Sequence, residues 1–213
     1  PRTPEVVQQH LADYYAIITH LDAQIGRVIS ALKDSGLYEN TLICLAGDSG
    51  LAVGCHGLMG KQNVYDEDGL HVPLVISGAL QTPVRSSNAL CYIHDIAPTL
   101  CELAGVPEPK SFTGQSIAPV IRGEVTRLRD HTYHAYRQHQ RAFRKDGFKL
   151  IEYVRARIGG KQNDGALSGS RVTQLFDIQT DPWETADLSN HPEHAARLRL
   201  MKQQMRRQAE LLG

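Results

Sequence analysis

No stretch of this chain stays apolar for long. Uninterrupted hydrophobic runs stop at about five residues, as in "VPLVI", against the roughly 20 needed to cross a bilayer, which excludes a membrane-spanning helix. Cysteine is sparse and scattered. Cys44, Cys55, Cys91 and Cys101 form no C-x-x-C pair and show no zinc-ligand spacing, so neither a disulfide framework nor a zinc module is indicated. Cys44 falls in a strand-like run and Cys101 on a predicted helix, which predicts buried free thiols. The first residues, "PRTPEVVQQH", lack the charged-then-apolar pattern of a secretion signal. Internal repeats are absent as well.

What is present is enough for a core. The chain has 213 residues, 41% hydrophobic and 22% charged, a length that suits one large domain or one with a small appendage. Net charge is zero but unevenly spread. Residues 1–121 hold 6 Lys/Arg against 12 Asp/Glu, a balance of −6, and residues 122–213 hold 17 against 11, a balance of +6. Such asymmetry fits nucleic-acid binding or two complementary parts of one molecule. No nucleic-acid motif accompanies the basic half, which favours the second reading.

Residues 4–35 read as one long helix, with Thr3 as N-cap, Pro4 in the first turn and Gly36 as the stop. Val7, Leu11, Tyr14, Ile18, Leu21, Ile25, Val28 and Leu32 form a single apolar stripe, as on a helix lying against a sheet. "NTLICLAGD" (40–48) and "HVPLVISG" (71–78) are continuous apolar runs, predicting strands buried on both faces of a parallel sheet. "YIHDIAPTLCELAG" (92–105) leads into a second helix ended by Gly105. The pattern then becomes short and alternating. Asp146-Gly147 between two such runs is a strong hairpin signal, and a small antiparallel sheet is predicted over roughly 130–178. "GGKQNDGALSGS" (159–170) reads as an exposed excursion between its strands. A basic helix running to Leu212 closes the chain, with Leu198, Met201, Met205 and Leu212 largely on one side. The fold class is therefore α/β: a partial parallel or mixed sheet flanked by helices, then a small antiparallel sheet with a C-terminal helix.

The segment that carries chemistry is "AGDSGLAVGCHGLMGK" (46–61), a strand end followed by a glycine-rich loop. In open α/β sheets ligands collect beyond the carboxyl ends of strands. Asp48, placed there, is a hard oxygen ligand suited to Ca²⁺ or Mg²⁺. Lys61 is a flexible point charge that can meet a tetrahedral anion. On these residues alone the reading is an anion-plus-cation site with both side chains expected in one pocket, and a plain Asp-x-Gly turn is the alternative.

"LICLAGDSG…GCHGLMGKQNVYDEDGLHVPLVISG" resembles the second half of the sulfatase family, within the alkaline-phosphatase superfamily. That family shows Asp-Asn-Gly or Asp-His-Gly after a strand, then Gly-Lys, then Tyr-Glu and a Val-Pro strand. "DAQIGRVISALKDSGLYENT", "HDIAPTLCELAGVPEPKSFTGQSIAPVIRG", "RAFRKDGFKLIEY" and "QLFDIQTDPWETADLSNHPE" continue the resemblance in collinear order from about residue 14 to 195. It implies residues 1–125 as the later part of an α/β catalytic domain and 126–213 as a small C-terminal α+β subdomain. It implies that Asp48 ligates the divalent cation, with Ser49 in the position where the family has Asn or His. Lys61 would contact sulfate oxygens and offset charge in the transition state. His56 either faces the same pocket or braces the loop.

The family's formylglycine nucleophile comes from a Cys/Ser-x-Pro-x-Arg motif, and no cysteine or serine of this chain fits it. The resemblance thus implies the C-terminal portion of a sulfuric ester hydrolase, inactive by itself, whose substrate is a sulfate ester such as a sulfated sugar. It also suggests a periplasmic or secreted location, with neither nucleic acid nor membrane as partner. Two other readings stand beside it: a phosphodiesterase or phosphonate monoester hydrolase of the same superfamily, and a non-catalytic binding fragment. His131, His134 and His139 do not make a zinc cluster, because 131 and 134 of a strand face opposite ways. A partial sheet exposes an edge and an apolar face, so these residues are expected to self-associate. Light scattering should return a mass above the 23.6 kDa of one chain, and a clean monomer would contradict this.

Overall fold

A computed structural model of the chain describes residues 3–61, 63–80, 86–154 and 171–212. They form two compact units. One holds Pro1–Gly60 with Val72–Leu128, the other Lys61–His71 with Arg129–Gly213.

The first unit opens with α1, Pro4–Asp34. Thr3 caps it from an extended conformation, its Oγ1 accepting from the Val6 N–H at 3.5 Å, and Gly36 follows the end at φ 71°. Two strands come next in space, β1 (Leu42–Ala46) and, after a long connection, β4 (Leu74–Gly78). They pair antiparallel, Leu42 opposite Gly78 and Ala46 opposite Leu74. The parallel sheet expected from their continuous apolar runs is therefore corrected. The physical reason lies between them: parallel pairing needs a crossover, usually a helix, and this connection carries only a short hairpin and one helical turn.

That hairpin is β2 (Ala52–Val53) paired with β3 (Met59–Gly60). The unit continues through a 3₁₀ turn at Ile93–Asp95 into α2 (Ile96–Ala104), stopped by Gly105 at φ 68°. The short α3 (Ala118–Ile121) follows. Asp95, fully buried, knits this region by accepting from the N–H groups of Tyr92 (2.7 Å) and Gln115 (2.8 Å). Thr99, also buried, donates to Asp95 O and accepts from Ile117 N–H at 2.9 Å.

Two further expectations change here. No residue of α1 is buried, and Leu21 and Val28 of its stripe are 53% and 63% exposed. Its first turn meets the β2 hairpin instead of a sheet face; a Cβ at Gly54 would lie 2.6 Å from Val7 Cγ1. Strands β1 and β4 are not buried on both faces, since Leu45 and Val75 are exposed. The four cysteines are free thiols, but none is buried, and Cys55 is exposed.

The second unit is built on a four-stranded antiparallel meander of β5 (His131–Tyr136), β6 (Gln140–Lys145), β7 (Phe148–Val154) and β8 (Arg171–Asp177). Asp146 and Gly147 join β6 to β7 with φ of 50° and 78°, the left-handed pair that a two-residue hairpin requires. Period-two alternation sorts the side chains. Phe143, Phe148, Leu150 and Leu175 face α4 (Ala195–Leu212) and pack on its Met201 and Met205. Leu212, expected on that side, is 66% exposed. Ala142, Ile151 and Phe176 face the other way and are covered by Val64, Tyr65 and Leu70. The sheet is thus closed on one side by a helix and on the other by the segment that follows the glycine-rich loop. The 159–170 excursion lies outside the described residues.

Candidate functional site

Asp48 and Ser49 occupy an exposed bend directly after β1 and Gly47. Gly47 is closely packed there. Its N–H donates to Pro73 O at 3.0 Å, and a Cβ would come within 3.2 Å of Val72 Cβ and 3.3 Å of Pro73 Cδ. The strand β4 thereby sets where β1 releases the chain and where the Asp48 carboxylate begins its reach.

His56 lies at the tip of the β2–β3 hairpin. It has φ 51° and ψ 20°, an uncommon left-handed conformation for a residue with a Cβ. The turn around it is closed by Gly57 N–H to Gly54 O (3.0 Å), Leu58 N–H to Cys55 O (2.8 Å) and Gly54 N–H to Leu58 O (2.8 Å). Its backbone shapes the hairpin, and its side chain is exposed.

Lys61 is exposed in a bend immediately after β3 and is the first residue of the second unit. Asp48, Ser49 and His56 therefore belong to one unit and Lys61 to the other; no single unit gathers all four. Among the described residues, no group of three or more His, Cys, Asp or Glu is arranged to hold a metal ion. Ca²⁺ takes six to eight oxygens. The Asp48 carboxylate and Ser49 hydroxyl are donors of the right hard type, yet they make only a fraction of such a shell.

The residues that hold the Lys61 segment in place escaped the sequence reading. Past Lys61, Asp66–Leu70 forms a single turn of π-helix, closed by Leu70 N–H to Tyr65 O (3.0 Å) and His71 N–H to Asp66 O (2.8 Å). Gly69 is needed in it, because a Cβ would lie 2.5 Å from Asn63 Oδ1, the oxygen that accepts from Tyr65 N–H at 3.0 Å. Asp66 is pinned to the sheet. Its Oδ1 lies 2.7 Å from Lys149 Nζ and its Oδ2 2.8 Å from Arg144. Its own N–H donates to Glu184 Oε2 at 2.6 Å. The other Glu184 oxygen, Oε1, lies 2.8 Å from Lys149 Nζ, as an ion pair rather than an aligned hydrogen bond. Lys149 is fully buried, with Asp66 at 7% and Glu184 at 2% exposure.

Two carboxylates and two cations balance. A third cation would not be matched, and His134 on the same face of β5 responds accordingly. Burial, with Lys149 and then Arg144, pushes its imidazole down to about 4 against the pull of Asp66. Burial raises the Glu184 carboxyl above its ordinary range, with Lys149 and the Asp66 N–H opposing. As the alternation implied, His131 points to the opposite face, where Nε2 lies 3.3 Å from Gln208 Oε1 on α4.

Comparison with known proteins now adds its weight. The sulfatase family profile matches residues 1–106, and that of the N-sulphoglucosamine sulphohydrolase C-terminal region matches 54–210. The chain belongs to the sulfatase family. Among curated relatives, the N-acetylglucosamine-6-O-sulfatase of Bacteroides thetaiotaomicron is 29% identical over 209 residues, covering 92% of this chain and 35% of that protein. A solved structure, described as a complex with its substrate D-glucosamine-2-N,6-O-disulfate, superposes with a TM-score of 0.79 at 27% identity, over 96% of this chain and 41% of that one. The phosphonate monoester hydrolase of Silicibacter pomeroyi gives 0.78 at 27%, over 97% and 42%. This sulfatase-family chain thus spans 35% to 42% of the length of these relatives. The α/β fold class is the one these neighbours share.

Removing the charge at the centre of the buried cluster tests its weight. Lys149→Met should cost about 3–5 kcal/mol in denaturant unfolding, by leaving buried Glu184 without a cation and Asp66 with Arg144 alone. Lys145→Met, which loses only the half-exposed partner Asp130, should cost about 1 kcal/mol or less. The histidine predicts a pH dependence. Between pH 6.5 and about 4 the unfolded chain takes up a proton that folded His134 refuses, so stability falls as pH drops through that window. The loss should reach on the order of 3 kcal/mol, and His134→Gln should flatten this acid limb.

Proposed function

We propose that this chain is the C-terminal portion of a sulfuric ester hydrolase acting on a sulfated sugar. The observation that carries the reading is the unbroken match of two sulfatase-family profiles over residues 1–106 and 54–210. The substrate class is supported by relatives whose names specify glucosamine sulfates.

In this reading Asp48 supplies one oxygen to a divalent cation, Ca²⁺ or Mg²⁺, with the Ser49 hydroxyl beside it in direct or water-bridged contact. The cation's contribution is to neutralise sulfate charge and orient the attacking group. Lys61 holds sulfate oxygens by charge-assisted hydrogen bonds and stabilises the charge that develops as the ester bond breaks. His56 keeps the hairpin between them in shape. The nucleophile, a formylglycine, comes from outside these 213 residues, because no Cys/Ser-x-Pro-x-Arg motif occurs in them. The isolated chain is therefore without turnover, and a periplasmic or secreted location accompanies the family assignment.

A second reading has its own observation. The phosphonate monoester hydrolase neighbour superposes as well as the sulfated-glucosamine one, 0.78 against 0.79 at the same identity. Rates of the full-length protein on an aryl sulfate and an aryl phosphodiester separate the two. The sulfatase reading expects preference for the sulfate, with kcat reduced about 100-fold or more by Lys61→Ala or Asp48→Ala. A strong phosphodiester preference would transfer the assignment to the second reading, and robust sulfatase turnover by the 213 residues alone would refute the missing nucleophile.

A further inference from the structure

The outer face of α4 carries arginines that no described residue pairs with. On a helix of 3.6 residues per turn, Met201 and Met205 mark the side committed to the sheet. Arg199, Gln203, Arg206, Arg207 and Glu210 fall on the opposite side and line an open groove with Lys202. Lys202 sits at the boundary, donating to Thr173 at 2.9 Å and lying 3.6 Å from Glu152. Arg199, Arg206 and Arg207 make no ion pair or hydrogen bond among the described residues. The groove thus presents four cations against the single carboxylate of Glu210, and its arginines are spread over about 12 Å of helix.

We infer that this face of α4 is a docking surface for an extended sulfated polysaccharide, separate from the residues that would act on the ester. The inference rests on the sulfated-sugar reading above for its choice of polyanion. Charge complementarity supplies the attraction, since planar guanidinium groups fork onto sulfate oxygens as they do onto phosphate. Two other polyanions fit less well. No aromatic ring lines the groove, so a nucleic acid would find nothing on which to stack a base. The main apolar stripe of the helix is buried through Met201 and Met205, and the exposed Leu200, Leu211 and Leu212 make no continuous apolar face to insert beneath lipid headgroups. A long sulfated chain held here would raise the local concentration of ester groups without any new contact at the reacting bond. The surplus of basic residues in 122–213 then has a role beyond complementing the acidic part of the chain.

The experiment measures binding of heparin to the full-length protein at about 0.1 M salt and above, where ionic contacts are graded by screening. The Arg199→Ser/Arg206→Ser/Arg207→Ser variant should bind heparin about tenfold or more weakly, with a shallower salt dependence. Glu210→Arg should bind several-fold more tightly, a gain that misfolding could not produce. Turnover of a small aryl sulfate should be unchanged in both. Heparin affinity unaffected by the triple substitution would overturn the proposal. So would equal binding of chemically desulfated heparin, or tighter arginine-dependent binding of duplex DNA or of phosphatidylserine vesicles. Arginine-dependent heparin binding in a protein with no aryl sulfate turnover would support the docking surface while overturning the sulfatase reading.

Discussion

Lys149 sits on the sheet where water does not reach, and it is tolerable there only because Asp66 and Glu184 meet it from two other parts of the chain. An unpaired buried ammonium costs several kcal/mol in desolvation, and each of its partners would cost as much alone. The arrangement is therefore all or none. It ties together three places remote in sequence: the π turn at Asp66, the strand β7 at Lys149, and the left-handed residue Glu184, whose φ of 55° is unusual for a side chain with a Cβ. The direct hydrogen bond from the Asp66 N–H to Glu184 closes the circuit through the backbone. Because these ion pairs hold the segment beginning at Lys61 against the sheet, they constrain the proposed sulfate-binding lysine from five residues away.

This anchoring explains a division that composition alone does not suggest. In the second unit the sheet is covered on both faces, by α4 and by Val64, Tyr65 and Leu70. In the first unit the buried residues are concentrated around α2 and α3, while the α1 stripe and alternate residues of β1 and β4 stand exposed. The loop bearing Asp48 is positioned by backbone pairing and by Gly47's close approach to Val72 and Pro73, not by a surrounding core. Two candidate site residues thus have different mechanical supports: a hydrogen-bonded strand pair for one, a buried ionic cluster for the other.

Local signals were legible wherever one residue type has one physical reason to be present. Thr3, Pro4 and Gly36 bound α1, Asp146-Gly147 turns the hairpin, and Gly105 ends α2, each doing in the structure what its backbone freedom or capping chemistry predicts. Strand direction was not legible. A continuous apolar run is equally compatible with a parallel strand buried on both faces and with a short antiparallel strand, and only the connection between β1 and β4 decides. The anchor was missed for a different reason. Asp66 pairs with residues 78 and 83 positions away, a separation no local pattern carries. A signal nonetheless existed in "FKLIEYV": alternation puts Lys149 on the same face as Ile151 and Tyr153, and a lysine among inward residues demands an acid. Asp66, standing where the family has glutamate after tyrosine, was the acid to consider.

The same reasoning, applied outward, separates the cations of the C-terminal half into two kinds. Lys149 is buried and Arg144 partly so, and both are matched by carboxylates from within the chain, because an unmatched charge in such a place is costly. Arg199, Arg206 and Arg207 face away from the sheet, where water removes the need for a partner and folding exerts no demand for a positive charge. Helix propensity does not demand it either, since glutamine or glutamate would serve as well at those positions. A cluster of one sign that neither packing nor helix formation requires also repels itself, a small cost at each pair. In the docking proposal, an extended polyanion lying along those two turns of the helix offsets that cost.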